Sequence, residues 1–249
     1  MTNWLDGRTV VITGASSGIG AAVAQTCSSR GARVALAARR RQQLTEVAAS
    51  CDSETLVIPC DVTKDDDRRH LVKDVLDQWG QIDVLINNAG LGLYAPFDEI
   101  EERDLRELMD VNFVAVLRMT QEILPSMRTA GFGRIVNIAS TGGLIAHAPN
   151  VSAYLAAKHA IVGMSRGLRL ELEATGISVQ VVCPHLTDTE FFRVGVGADV
   201  MGNAADRLRR HMDSADDVAE GTVDQIGAEP FIVFPTERSR KAYERFLEV

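Results

Sequence analysis

Short runs of apolar, mostly β-branched residues alternate along this chain with longer segments of helical periodicity. Thr9–Thr13, Arg33–Ala38, Thr55–Pro59, Val84–Asn87, Arg134–Ala139, Ile177–Cys183 and Phe231–Phe234 read as strands. Between them, Gly18–Arg30, Arg41–Ser50, Lys64–Trp79, Glu101–Met127, Ser152–Thr175 and Ala215–Gln225 read as helices. Pro125 lies near the end of the fourth, and Gly176 closes the fifth. Strands apolar on both faces, each followed by a helix, predict a doubly wound α/β fold, a parallel sheet covered on both sides. No linker, repeat or low-complexity segment divides the chain, so residues 1–249 are expected to form one domain. Only Thr187–Asp206, with Gly195, Gly197 and Gly202, lacks a clear pattern, and it is expected to be a substrate lid.

Composition narrows the function classes. Of 249 residues, 46% are hydrophobic and 24% charged, which excludes a disordered or disulfide-built chain. Acidic residues outnumber basic ones 34 to 26, and the longest basic run is Arg39-Arg40-Arg41, so no nucleic-acid surface is expected. Cys27, Cys51, Cys60 and Cys183 form no Cys-x-x-Cys pair and have no histidine at zinc spacing. They read as thiols of a reducing compartment, with no metal site. The first residues lack a signal pattern and no apolar run reaches ~18 residues, so a cytoplasmic protein without a membrane span is expected.

The first strand runs directly into Thr13-Gly-Ala-Ser-Ser-Gly-Ile-Gly20. Glycines at 14, 18 and 20 permit a tight bend and let a pyrophosphate approach the backbone, where a helix N-terminus presents unpaired N–H groups. Further along come Asp61-Val62 after the third strand, Asn87-Asn-Ala-Gly90 after the fourth, and Asn112 within the long helix. Ser140 follows the fifth strand, Tyr154-x-x-x-Lys158 opens the next helix, and Pro184 follows the sixth. These segments, in this order, resemble the short-chain dehydrogenase/reductase family in its compact, single-domain branch. The resemblance implies a Rossmann-type sheet, a nicotinamide dinucleotide and hydride transfer between a carbonyl and a secondary alcohol.

Tyr154 and Lys158 are four apart on one helix face, with Cβ atoms ~5–6 Å apart. A phenol ionises near ~10, and lowering that by about three units takes roughly 4 kcal/mol. An ammonium ~4 Å away at an effective dielectric of ~20 supplies about that much, so a depressed Tyr154 pKa is expected. The resemblance implies that Tyr154 transfers the proton and that Ser140 holds the substrate oxygen. Lys158 tunes the tyrosine and holds the nicotinamide ribose, while Asn112 links Lys158 to solvent through a water. It further implies a cofactor set of Gly14, Ser16, Ser17, Gly18, Ile19, Gly20, Asp61, Val62, Asn88, Ala89, Gly90, Tyr154, Lys158, Pro184, Thr187 and Thr189. Asn112 can also be read as a helix kink, and Asp61 as a helix-capping carboxylate.

The second strand ends Ala37-Ala38-Arg39-Arg40, without the acid that binds the ribose 2′-hydroxyl of NAD. A carboxylate would repel a 2′-phosphate, whereas Arg39, with Arg40 beside it, can hold one. NADP(H) is therefore expected over NAD(H). His185 stands where the family usually has glycine, and His147 lies in the loop after Ser140; each is as readily an exposed loop histidine as a substrate-facing group. Leu91–Phe97, Leu144–Pro149 and Phe191–Val200 are expected to border an apolar substrate pocket. Two rivals remain at this point. One is a sugar-nucleotide epimerase or dehydratase, for which the tail after Pro184 is short. The other is a non-catalytic dinucleotide-sensing protein on the same fold. The family resemblance also implies a homodimer or homotetramer built on the two long helices, with a small carbonyl or alcohol as substrate.

Overall fold

The computed structural model describes residues 4–146, 148–197 and 207–247. His147 and the second half of the expected lid, 198–206, lie outside the described residues. In chain order the elements are β1 (Thr9–Thr13), α1 (Gly18–Ser29), β2 (Arg33–Ala38), α2 (Arg41–Ala49), β3 (Thr55–Pro59), α3 (Asp65–Trp79) and β4 (Val84–Asn87). Then follow β5 (Gly92–Leu93), α4 (Glu102–Met109), α5 (Ala115–Ala130), β6 (Gly133–Ile138), α6 (Ser152–Glu171) and β7 (Ile177–Val182). The chain closes with β8 (Gly195–Val196), α7 (Ala215–Val223), β9 (Ile232–Val233) and α8 (Glu237–Leu247).

Seven strands form one parallel sheet in the order β3-β2-β1-β4-β6-β7-β9. Strand order reverses between β1 and β4, and the crevice at the carboxyl ends there is where such sheets bind ligands. Alternation along the strands fills two cores. On one face Val10, Ile12, Leu36 and Ile86 pack against Val23 and Cys27 of α1 and Val223 of α7. On the other, Val11, Ala35, Leu85 and Ile135 pack against Leu71 and Val75 of α3 and Met119 and Ile123 of α5. Each fully buried Val, Leu or Ile contributes roughly 1.5–3 kcal/mol, so these layers hold the crevice rigid.

The departures from the expected elements have physical causes. The long helix is interrupted by a π turn at Asp110–Val114 that carries Asn112 inward. It then continues past Pro125 to Ala130, because the proline lies on an exposed face and costs only the hydrogen bond to the carbonyl four residues back. The helix after Tyr154 stops at Glu171, where Leu172 is buried as its cap and Ala174 and Gly176 turn back with positive φ toward β7. Finally, α8 has little apolar character and escapes the pattern. It docks through tertiary contacts, with Ser239 buried and Tyr243 stacked on Phe234 at 5.3 Å. The described part of the expected lid is not patternless either, since Gly195–Val196 pairs with Gly92–Leu93 as a second, two-stranded sheet.

Candidate active site

The glycine turn is shaped by close approach. Gly14 has φ +67°, and a Cβ there would stand 2.8 Å from Ala89 Cα. A Cβ on Gly20 would strike the Gly14 carbonyl and the Asn88 side chain. Asn88 ties the two loops together: its Nδ2 donates to the carbonyls of Thr13 (3.1 Å) and Gly14 (3.2 Å). The backbone N–H groups of Asn88 and Ala89 both donate to Thr13 Oγ1 at 3.1 Å. Gly18 faces Thr189, whose methyl would lie 3.1 Å from an added Cβ. Helix α1 has neither a side-chain cap nor an acid in its first turn, so the N–H groups at Gly18, Ile19 and Gly20 are left to an incoming anion. This cradle fits a pyrophosphate.

Arg40, not Arg39, reaches the serines of that turn. Its guanidinium donates to Ser16 Oγ (3.0 and 3.2 Å) and Ser17 Oγ (2.7 Å), and it pairs with Glu190 at 3.2 Å. Arg39 instead borders a cleft of about 600 Å³ with Asp61, Thr63 and the α4 residues Arg103 and Arg106. Asp61 is held below its usual range: burial works against this, but the Thr63 hydroxyl and N–H and then Arg39 outweigh it. Thr63 Oγ1 and N donate to Asp61 Oδ1 at 2.7 and 3.1 Å, so half of that carboxylate is already engaged. The Val62 carbonyl is likewise engaged, by the buried Arg68 at 2.7 Å.

Ser140, Tyr154 and Lys158 converge at the carboxyl ends of β6 and β7. Ser140 Oγ accepts from Gly142 N at 3.0 Å and is near enough to Tyr154 to favour ionisation of its hydroxyl. Lys158, 5% exposed, donates to the Ile138 carbonyl at 3.0 Å and stands 5.8 Å from the centre of the Tyr154 ring. The expectation of a depressed tyrosine is not met. Burial pushes the Tyr154 phenol up to about 12, with Ser140 pulling the other way, and burial lowers the Lys158 ammonium to about 8. Desolvation disfavours both charges, and the lysine directs its proton to Ile138 rather than to the phenol. Tyr154 is therefore a protonated acid at neutral pH.

Asn112 is 1% exposed on its π turn, and its amide clasps the Leu91 backbone. Nδ2 donates to Leu91 O at 2.8 Å and Oδ1 accepts from Leu91 N at 2.7 Å. It thus pins the loop after Gly90, and a Cβ on Gly90 would lie 3.6 Å from Asn112 Oδ1 and 3.8 Å from Lys158 Nζ. The kink and the clasp on Leu91 are one feature.

After β7, the Pro184 carbonyl accepts from Thr141 N at 2.8 Å, and His185 Nδ1 lies 3.0 Å from Thr141 Oγ1. His185 thus faces the loop that carries Ser140. Thr187 Oγ1 donates to the His185 carbonyl at 3.2 Å, while Thr189 Oγ1 accepts from Phe191 N at 3.3 Å and caps the turn Glu190–Arg193. The sequence pattern does not reveal the support behind the site. Asn87 donates to Asn137 (2.9 Å) and Thr120 (3.2 Å), and Asn137 donates to Ser165 (2.8 Å). An asparagine inside the apolar run of β6 is the signal that could have exposed this network, since a buried amide demands partners.

Comparison with known proteins places the chain by sequence and by fold. A profile described as short chain dehydrogenase matches residues 8–195. D-beta-hydroxybutyrate dehydrogenase of Rhizobium meliloti is 35% identical over 182 residues, 71% of this chain and 70% of that one. Levodione reductase superposes with a TM-score of 0.86 at 26% identity, covering 95% of this chain and 98% of its own. A 3-ketoacyl-(acyl-carrier-protein) reductase from Brucella melitensis, solved with NADH, gives 0.83 at 26% identity over 92% and 96% of the two chains.

Proposed function

The chain belongs to the short-chain dehydrogenase family and is a nicotinamide-dependent oxidoreductase acting between carbonyl and alcohol; from that footing we propose that it reduces an apolar ketone with NADPH. The convergence of Ser140, Tyr154 and Lys158 beside the glycine cradle carries this reading. When bound, the dinucleotide supplies the hydride. Ser140 and Tyr154 receive the carbonyl oxygen, and the protonated Tyr154 gives its proton as the oxygen gains charge. Lys158 holds the nicotinamide ribose. Asn112 positions the Leu91 loop beside it and sits close enough to Lys158 to join a water relay. Gly14 through Gly20 take the pyrophosphate, Asp61 and Val62 border the adenine, and Asn88, Ala89 and Gly90 line the ribose. Pro184, Thr187 and Thr189 hold the carboxamide end.

Ala38 at the end of β2 and Arg40 on Ser16 and Ser17 support NADP(H), with Arg39 on the adenine side. Glu190 on Arg40 is the observation that favours NAD(H), because it already neutralises the guanidinium. Phe191 at 5.8 Å from Tyr154, with Phe192 against it, supports an apolar substrate. Relatives named for ketoacyl reduction support a ketone with a second oxygenated carbon nearby. The whole chain is read as one domain with a lid over Thr187–Asp206. A homodimer or homotetramer is supported by exposed Leu105 and Val114 along the α4–α5 run and Leu170 on α6. Among the described residues no helix is long and apolar enough to cross a membrane. The free thiols of Cys27, Cys51, Cys60 and Cys183 support a reducing compartment, and we place the protein in the cytoplasm.

The test is initial-rate reduction of a ketone panel with each cofactor. NADPH should exceed NADH in kcat/KM by about 10- to 100-fold, the range of a charge-assisted contact. Equal use of both cofactors would remove the NADP assignment. No reduction of any ketone would remove the reaction.

A further inference from the structure

Tyr94 carries a buried hydroxyl that has no hydrogen-bond partner among the described residues, although the residue is only 7% exposed. Leaving such a group unsatisfied costs folding free energy, so its retention calls for a reason. The other unsatisfied side-chain atoms lie elsewhere. Thr9, Arg33 and Ser178 are at the amino-terminal edge of the sheet, Trp79 ends α3, and Arg68 is already bonded to Val62 and Asp65.

The direction of the Tyr94 side chain is fixed by its neighbours. Its backbone N–H donates to the Val196 carbonyl at 3.0 Å, next to the short β5–β8 ladder. The ring folds back over Gly92, where an added Cβ would lie 2.5 Å from Oη and 2.6 Å from Cζ. The hydroxyl therefore lies over the Gly92 backbone, two residues after Gly90, near which Lys158 Nζ and Asn112 Oδ1 stand. On its other side the ring meets Phe192 at 6.5 Å, Phe192 meets Phe191 at 5.8 Å, and Phe191 meets Tyr154 at 5.8 Å. Tyr94 and Tyr154 are also near enough that charge on one disfavours charge on the other.

We propose that Tyr94 is a specificity-determining residue whose hydroxyl donates a hydrogen bond to a second acceptor oxygen of the substrate, a few atoms from the carbonyl that Tyr154 and Ser140 receive. This deepens the reading of the chain as a ketone reductase and rests on it. A neutral phenol among aromatic rings suits a neutral acceptor, a second ketone or an ester-type carbonyl. A carboxylate in the same wall would be left with its charge unpaired. Gly92 belongs to the device, because any side chain there would displace the ring.

The experiment uses a matched pair of ketones, 2,2-dimethylcyclohexane-1,3-dione and 2,2-dimethylcyclohexanone, with NADPH and NADH, alongside the general ketone panel. The wild type is expected to favour the dione in kcat/KM. Tyr94→Phe should raise KM for the dione about 3- to 10-fold, the range of one neutral hydrogen bond, with kcat and the monoketone KM nearly unchanged. Thermal melting supplies an independent readout: removing a hydroxyl without a protein partner should leave Tm unchanged or raise it by about 2 °C. A dione KM that does not respond to Tyr94→Phe, or a melting point lowered by several degrees, overturns the assignment. So does a wild type without preference for the dione, including one that reduces only mono-oxygenated ketones. If the wild type reduces no ketone with either cofactor, the functional reading itself has failed, and the two failures are told apart.

Discussion

The glycine turn and the segment that faces it, Thr189 to Val196, reach their shapes by opposite means. The turn is built from backbone: left-handed Gly14 and Gly18, the absence of a Cβ at Gly20, and carbonyls bound by Asn88. The facing segment is held mostly by side chains, with one short backbone ladder, all reaching distant parts of the chain. Thr189 sits over Gly18, Glu190 pairs with Arg40, Phe191 packs on Tyr154, and two residues of β8 pair with β5. A dinucleotide phosphate is the same in every enzyme that uses it, so backbone donors recognise it well. A substrate is particular, and side chains are what can be varied for it.

The largest expected effect tests whether the chemistry sits where these two regions meet. Tyr154→Phe removes the protonated hydroxyl with little change of volume, so NADPH affinity should survive while turnover falls by about 10²–10⁴-fold. Lys158→Met should lose turnover and cofactor affinity together, since the lysine is assigned both tasks. Steady-state rates beside fluorescence titration of NADPH separate the two. Wild-type turnover in Tyr154→Phe, with chemistry rate-limiting, would sink the mechanism.

The same contrast explains what could be read in the sequence. Strands β1, β2, β4, β6 and β7 were legible to within a residue because their apolar runs are buried on both faces, and the edge strand β3 because its run is short, apolar and β-branched. The glycine turn and the Tyr154–Lys158 spacing were legible because backbone conformation and helix pitch tie function to fixed separations. The pairing of Arg40 with Glu190 was not, since it joins residues 150 apart through exposed side chains. Nor was the raised Tyr154 pKa: spacing reports how near a lysine can come, but not that burial removes water from both groups or that the Ile138 carbonyl accepts the lysine's hydrogen bond. Helix α8 escaped because its stability comes from Ser239 and Tyr243 contacts rather than from an apolar stripe.

A smaller effect sharpens the comparison at the one ion pair that joins the regions. Arg40 and Glu190 are both well exposed, so the pair itself is worth at most about 1 kcal/mol. Arg40→Leu should weaken NADPH by about 10-fold or more and leave NADH nearly unchanged. Glu190→Gln should do the reverse, tightening NADPH by about 2- to 5-fold, because the guanidinium no longer has to exchange one anion for another. Dissociation constants for both cofactors decide it. An Arg40→Leu variant that loses NADPH and NADH equally would mean that Arg40 only braces Ser16 and Ser17.

A further effect, no larger than that of Arg40→Leu, is a pH dependence with two opposite signs. Burial lowers the Lys158 ammonium to about 8, well below an ordinary lysine. Below that value the ammonium can donate to the nicotinamide ribose, so NADPH affinity should be highest there. It should fall about 3- to 10-fold as pH rises through 8, the worth of one charge-assisted hydrogen bond weakened to a neutral one. Stability of the cofactor-free protein should move the other way. Between about 8 and the ordinary lysine value the unfolded chain holds a proton that the folded chain has released, so this group's contribution to stability rises with pH across that window. The two curves therefore diverge above pH 8, affinity falling while the lysine's burial becomes less costly, and bound cofactor must in turn raise the lysine pKa. Lys158→Met should flatten both. NADPH titrations and denaturant midpoints measured across this pH range give the answer, and a fall in affinity that persists in Lys158→Met would assign the titration to a different group.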